Sequence, residues 1–484
     1  MTNTEKLLPT AEQQQILDAF QTGNDLVIEA GAGTGKTATL KMIAASTDRK
    51  GLYLVYNRKA AQDAKKKFAE TNTEAVTTHA LANKAIRQQG GPIARLLNRL
   101  NGDRVPSKDA IRLLGIPSGG YLDGETQIAA WIVSRSALEA VKRFCSSADE
   151  EINWWHVKAV EGIEDNESYR RYVVKYARKA WDDINDPNGR LTFEHDHYLK
   201  IWALTNPVLD AEFILLDEAQ DTAQVLEKIV MSQKQQKVVV GDRCQALYEW
   251  RGAVDAMTKF ACDQRLLLTQ SFRFGQAVAD IANTYLDQLD TPLRLSGTPG
   301  IDSKAVEEMD NPNAILCRTN ATAIEYAMQF QAQGKRVAVV GGTKDIQYFT
   351  EQAEKLINTG RATHPDLVAF KSWGEVAAYS KTDEGADLRV RVSLIEKYGT
   401  SDILKVCAAS VAEGKADLEV STGHKAKGAE WDRVKIGKDF APAENIQQGP
   451  AELRLLYVAV TRAKLELDMT ALYTADGAAT PVAV

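Results

Sequence analysis

Cysteine is scarce and scattered: Cys145, Cys244, Cys262, Cys317 and Cys407 are odd in number and form no CxxC pair. That argues against a disulfide framework and a structural zinc site, and it fits a reducing interior. Long apolar runs are missing too. No uninterrupted stretch approaches the roughly 20 residues a membrane-spanning helix needs, so no membrane partner is expected. The start, Met1-Thr2-Asn3-Thr4-Glu5-Lys6, lacks the basic-then-apolar pattern of a secretory signal, which points to a cytoplasmic protein. Positive charge is not in surplus: 59 Lys and Arg face 65 Asp and Glu, a formal charge of −6. A uniformly basic nucleic-acid coat is thereby excluded, whereas a local basic groove is not. There is no internal repeat and no low-complexity tract.

With 44% hydrophobic and 26% charged residues, the composition is that of a globular protein. A chain of 484 residues exceeds one compact core and predicts two to four domains. Leu26–Ala30 reads as a buried strand, Gly31–Gly35 as a glycine-rich turn, and Ala38–Ala45 as helix. A second strand over residues 51–56 leads into a helix over residues 58–68. Further apolar runs stand at Phe213–Leu216, Val238–Val240, Ala314–Leu316, Val337–Val340 and Val434–Ile436. Short apolar runs alternating with helical patterns predict parallel sheets with crossover helices, in number enough for two.

Between about Leu81 and Thr205 the pattern turns helical and aromatic-rich, which reads as an insertion into the first α/β domain. Residues 83–112 carry Lys84, Arg87, Arg95, Arg99, Arg104, Lys108 and Arg112 against Asp103 and Asp109. Residues 169–181 interleave Arg170, Arg171, Lys175, Arg178 and Lys179 with Tyr172 and Tyr176. Two readings stand: solvated helix faces with rings packed inward, or a groove for a phosphate backbone with stacking rings. The end, from Thr474, reads as a frayed tail.

Ala30-Gly31-Ala32-Gly33-Thr34-Gly35-Lys36-Thr37 has P-loop spacing, with Ala30 in the usual first glycine position. Glycines let backbone N–H groups turn toward a triphosphate, and the helix N-terminus adds partial positive charge. Lys36 would reach the β and γ phosphates of ATP, and Thr37 would hold Mg²⁺. The partner is an apolar strand ending in Asp217-Glu218. Asp217 would hold Mg²⁺ through water, and Glu218 would activate the attacking water. Together the two segments imply ATP hydrolysis.

The remaining motifs narrow the class. Thr10-Ala11-Glu12-Gln13 resembles an adenine-reading Q motif, Tyr56-Asn57-Arg58-Lys59-Ala60-Ala61 motif Ia, and Thr77-Thr78-His79-Ala80 the short DNA-contacting motif that follows it. Residues 240–253, containing Gln245, Tyr248, Trp250 and Arg251, resemble motif III. Leu268–Arg273 is similar to motif IV, Thr422–Asp432 to motif V, and Leu456–Lys464 to motif VI. In this order and spacing the chain resembles superfamily 1A DNA helicases of the UvrD/Rep type along nearly its whole length. The resemblance implies that Gln245 senses the γ-phosphate and that Arg273 and Arg462 reach it from the second motor domain. It also implies that Phe272 stacks on adenine, where the family often has Tyr, and that Glu430 contacts the ribose. Implied DNA contacts are Tyr56, Asn57, Arg58, Thr78, His79, Tyr248, Trp250, Arg251 and His424. The alternative reading of Trp250 is a core residue, because Trp is often buried. Gly423 and Ala429 replace larger apolar residues usual in motif V.

The implied fold is α/β, with two RecA-like P-loop NTPase domains, ATP in the cleft between them and single-stranded DNA across their top. Residues 1–80 and 206–265 would form domain 1A, 81–205 a mostly helical insertion 1B, 266–357 and 418–473 domain 2A, and 358–417 a small 2B-like insertion. Within that last window, Phe370-Lys371-Ser372-Trp373 and Leu394-Ile395-Glu396-Lys397-Tyr398 resemble the helicase core of eukaryotic F-box DNA helicases more than UvrD. Gln13 lies almost at the start, so no F-box is expected. The implied function is ATP- and Mg²⁺-dependent 3′-to-5′ translocation on single-stranded DNA and unwinding of tailed duplexes by a monomer. A DNA-stimulated ATPase that strips proteins such as recombinase filaments is the alternative. A binding module with a dead ATPase is disfavoured by the complete residue set. Recombinase or replication proteins are conceivable partners, and the location would be the bacterial nucleoid or, for a phage protein, the host cytoplasm.

Overall fold

The computed structural model describes residues 8–55, 58–100, 102, 105–124, 126–160, 166–247, 257, 260–368, 370–382, 385–440 and 449–472. They divide into two compact units, one within residues 8–30 and 35–268 and the other within residues 31–34 and 269–472. Among the described residues no helix is long and apolar enough to cross a membrane.

The first unit contributes β1 (Leu26–Ala30), β2 (Gly51–Val55), β3 (Thr73–Thr77), a two-stranded antiparallel ribbon of β4 (Tyr121–Asp123) and β5 (Thr126–Ile128), then β6 (Phe213–Leu216), β7 (Gln236–Gly241) and β8 (Gln264–Leu268). Apart from the ribbon these pair as one parallel sheet in the order β3-β2-β6-β7-β1-β8. Parallel strands need crossovers, and both faces must then be covered, which is why the central strand β6 is apolar throughout and β2 is buried along its whole length. Side chains alternate along each strand and sort into two cores. Ile28, Tyr53, Leu215 and Val240 pack under the helices Ala11–Gln21 and Lys36–Ala45. Val27, Leu54, Leu216 and Val239 pack on the other face, in one cluster with Val133, Phe144, Tyr169 and Trp202 of the helical insertion. The insertion therefore supplies a layer of the sheet's own core.

Inside the insertion, the helix Asn166–Asn185 turns its rings inward. Tyr169 and Tyr176 are buried, and the hydroxyls of Tyr169 and Tyr172 donate to Ser136 Oγ and Gly120 O. Lys175 lies over Tyr172 and Tyr176, Arg178 donates to Ile152 O, and Lys179 donates to Leu114 O. Arg99 donates to the carbonyls of Asp183, Ile184, Asp186 and Leu191. These basic residues bind protein carbonyls and rings, so the inward-packed reading of the helix holds.

The second unit carries β9 (Lys304–Val306), β10 (Ala314–Cys317), β11 (Val337–Val339), β12 (Leu418–Thr422), β13 (Trp431–Ile436) and β14 (Ala463–Asp468), parallel in the order β11-β12-β10-β13-β14-β9. One face, with Ile315, Val339 and Val420, packs against Ala327, Phe349, Leu394 and Ile403. The segment expected as a small insertion thus shares this core through the helices Trp373–Tyr379 and Ala386–Ala409. The second of these is broken at Gly399, whose φ of 73° is open to glycine at little cost. The segment from Thr474 lies outside the described residues.

Candidate nucleotide-binding site

Because every strand of the first sheet is parallel, the loops after β1, β6 and β7 emerge on one edge. The strand order sets β7 between β1 and β6. After β1 the chain passes through Gly33 and Gly35, with φ of 75° and 78°, left-handed values that an L side chain resists. Gly35 is the N-cap of the helix Lys36–Ala45, whose first N–H groups and dipole face the loop. Ala30 and Ala32 are fully buried, as is Thr34. Lys36 Nζ lies 3.9 Å from Glu218 Oε1.

The Thr37 hydroxyl donates to Asp217 Oδ2 at 3.2 Å, so the end of the P-loop and the end of β6 meet directly. Asp217 is 7% exposed. Its Oδ1 accepts the Glu218 N–H at 2.9 Å, and its Oδ2 also accepts the Tyr53 hydroxyl at 2.5 Å. Burial and the Glu218 charge push the Asp217 carboxyl above the usual carboxylate range, against the Tyr53 hydrogen bond and Lys36, which pull it down. Hard oxygens from one hydroxyl and one carboxylate are the set Mg²⁺ takes when phosphates and water complete its shell. The residues present therefore fit that ion.

Glu218 has φ 52°, a left-handed conformation rarely taken by a non-glycine residue and held here by its neighbours. Gln220 Nε2 donates to Glu218 Oε2 at 2.6 Å, and Gln220 Oε1 accepts the Asp242 N–H at 2.9 Å. Gly241 makes room for this: a Cβ there would stand 2.5 Å from Gln220 Oε1. Asp242 Oδ2 in turn accepts from Gln245 Nε2 at 2.6 Å. One hydrogen-bonded path thus runs from Glu218 to Gln245. Tyr53 and Gln220 carry no role in the sequence reading. The available signal was a lone hydroxyl inside the apolar strand Gly51–Val55, because a buried tyrosine usually finds a hydrogen-bond partner.

Gln13 is 3% exposed and closes a capping box with Thr10. Its Nε2 also donates to Thr39 Oγ1 at 3.2 Å. Thr78 is buried at the start of the helix Thr78–Gln89, and His79 Nε2 pairs with Asp196 Oδ1 of the insertion at 3.0 Å. Thr78 and His79 line a cavity of about 70 Å³ together with Asp217, Glu218 and Leu199. Arg58 opens the helix Arg58–Lys67. Tyr56, Asn57, Tyr248, Trp250 and Arg251 lie outside the described residues.

In the second unit, Arg273 Nε donates to Glu430 Oε2 at 2.8 Å and its Nη1 to Thr461 O at 3.0 Å. Arg462 is 2% exposed, with Nε donating to Val458 O at 2.9 Å and Nη1 to Ala429 O at 3.3 Å. Phe272 is 46% exposed. A Cβ at Gly423 would meet Leu455 Cδ1 at 2.8 Å, so a larger residue there requires the Leu455 side chain to shift. Burial, and then the Arg318 charge, lower the pKa of His424, favouring its neutral form.

A family model for the UvrD/REP helicase N-terminal domain matches residues 10–263, just over half of the chain, and one for the UvrD-like helicase C-terminal domain matches residues 417–469. The chain is 28% identical to F-box DNA helicase protein 1 of Schizosaccharomyces pombe, over 95% of this chain and 57% of that protein. It is 27% identical to F-box DNA helicase 1 of Gallus gallus, over 94% of this chain and 48% of that one. The ATP-dependent DNA helicase PcrA of Leuconostoc citreum is 25% identical over 55% of this chain and 37% of its own. The chain spans about half the length of the F-box helicases it matches.

Proposed function

Since the chain belongs to the UvrD/REP helicase family, we propose that it is an ATP-driven DNA helicase that moves 3′ to 5′ on single-stranded DNA and opens tailed duplexes. The observation that carries this reading is the direct hydrogen bond from Thr37 to the buried Asp217, beside Glu218 and Lys36. Such a convergence of P-loop and acids serves phosphoryl chemistry, and relatives named DNA helicases supply the rest of the reading.

In the mechanism proposed, backbone N–H groups of residues 31–36 and the Lys36 ammonium hold the phosphates. Glu218, oriented by Gln220, accepts a proton from the attacking water. Mg²⁺ held by Thr37 and Asp217 would supply charge neutralisation when bound. Arg273 and Arg462 are assigned the γ-phosphate role, Gln245 that of sensor, and Gln13, Phe272 and Glu430 contacts to the nucleoside. Thr78, His79 and His424 are assigned to the DNA track with Tyr56, Asn57, Arg58, Tyr248, Trp250 and Arg251. Domain limits follow the same reading: 1A over 1–80 and 206–265, 1B over 81–205, 2A over 266–357 and 418–473, and 2B over 358–417.

The test is hydrolysis with and without single-stranded DNA, beside strand displacement on 3′- and 5′-tailed duplexes, with Lys36→Ala as control. DNA-stimulated hydrolysis and opening of the 3′-tailed duplex are expected, both absent in the variant. Stimulated hydrolysis without strand displacement would transfer the reading to a protein-stripping ATPase.

A further inference from the structure

We propose that Tyr53 is a positioning residue for the metal-facing carboxylate of Asp217, an inference that rests on the ATPase reading above. The placement begins with register. β2 and β6 pair in parallel with Tyr53 opposite Leu215, and the Asp217 N–H donates to Leu54 O at 3.2 Å. Asp217 stands two residues beyond Leu215, so it shares a sheet face with Tyr53. That face is the one covered by the helix that Lys36 and Thr37 open.

The Tyr53 ring is clamped. It is 2% exposed and stacks on Phe68 with centroids 4.5 Å apart and planes at 25°. From this fixed ring the hydroxyl donates at 2.5 Å to Asp217 Oδ2, the same oxygen that accepts from Thr37. The other carboxylate oxygen is held by the Glu218 N–H. The carboxylate therefore has its plane fixed from both sides before any ion arrives.

Partners that orient a metal-ligating group contribute about 10–100-fold to metal affinity or activity. Tyr53→Phe removes the hydroxyl and keeps the stacked ring, so orientation is lost with little change in packing. The experiment measures equilibrium binding of a fluorescent ADP analogue to the full chain across a Mg²⁺ series, then repeats it with Mn²⁺. Thermal melting and hydrolysis at saturating Mg²⁺ are recorded alongside. In Tyr53→Phe the metal concentration for half-maximal tightening should rise about tenfold or more, while the melting temperature holds and turnover at saturating metal largely recovers. Asp217→Asn should lose the metal dependence altogether.

An unchanged metal midpoint in a folded Tyr53→Phe protein would overturn the proposal. So would a large fall in melting temperature with the midpoint unmoved, which would make the hydroxyl a structural partner only. If the wild-type chain binds the nucleotide with no metal dependence, like Asp217→Asn, the ATPase reading fails and the role of Tyr53 with it.

Discussion

Replacing Gln220 with Leu removes both ends of the bridge between Glu218, the proposed general base, and Asp242 at nearly constant volume. Gln220 is 1% exposed and Asp242 is fully buried, so no water is at hand to replace the lost acceptor of the Asp242 N–H. An orphaned buried amide costs about 1–3 kcal/mol, and that is the expected loss of stability. Glu218 is different: its side chain is 40% exposed, and water can satisfy the oxygen that Gln220 releases. The loss there is orientation, and misplacement by about 1 Å can cost on the order of 10²-fold in rate. Denaturant unfolding measures the first effect, and single-turnover hydrolysis at saturating ATP the second. A double-mutant cycle with Glu218→Gln ties the rate effect to the acid: if Gln220 acts through Glu218, adding Gln220→Leu should slow that variant little further. A full 10²-fold additional loss in the Glu218→Gln background would refute the positioning argument. So would wild-type turnover in Gln220→Leu alone.

Glu218→Gln itself should keep nucleotide affinity and lower turnover about 10²–10⁴-fold, the ordinary contribution of a general base; normal turnover would move the base elsewhere. Arg462→Ala should lower both turnover and stability, because the guanidinium serves the buried carbonyls of Val458 and Ala429. The expected stability loss is about 2–4 kcal/mol, and unchanged melting would show that these bonds contribute little. His197 supplies a pH test. Burial holds its pKa down at about 4, and its Nδ1 accepts the Glu194 N–H at 2.9 Å. The folded state thus favours neutral imidazole. Its contribution is complete above the ordinary pKa of 6.5 and is lost as pH falls toward 4, in total roughly 3 kcal/mol. His197→Gln should flatten the slope of unfolding free energy between those pH values; an unaltered slope would assign it to other groups.

The local features of this protein were legible in its sequence. A buried strand, a turn needing left-handed glycines and a helix beginning Lys36-Thr37 announce a phosphate loop, because backbone geometry and side-chain type there are set within a few residues. The apolar strands at Phe213–Leu216 and Val238–Val240 were legible for a similar reason, since burial on both faces leaves an unbroken apolar run. β3 and β8 were passed over. They are the edges of the first sheet, with exposed positions at Glu74, Arg265 and Leu267 that dilute the signal.

Which residues would meet was decided only by the tertiary structure. Periodicity reports how a residue is buried and says nothing of its neighbour across a parallel sheet, where partners lie far apart along the chain. Tyr53 and Asp217 are 164 positions apart, and strand register alone brings the hydroxyl onto the carboxylate. The order β6-β7-β1 likewise sets Gln220 against Asp242. The basic, aromatic helix Asn166–Asn185 left two readings open, a nucleic-acid groove and an inward-packed layer, because residue spacing fixes a helix's amphipathicity but not what covers its apolar face. Packing against the helix Ala130–Ser146 and the sheet settled it, by burying Tyr169 and Tyr176 and turning the nearby cations to protein carbonyls and rings.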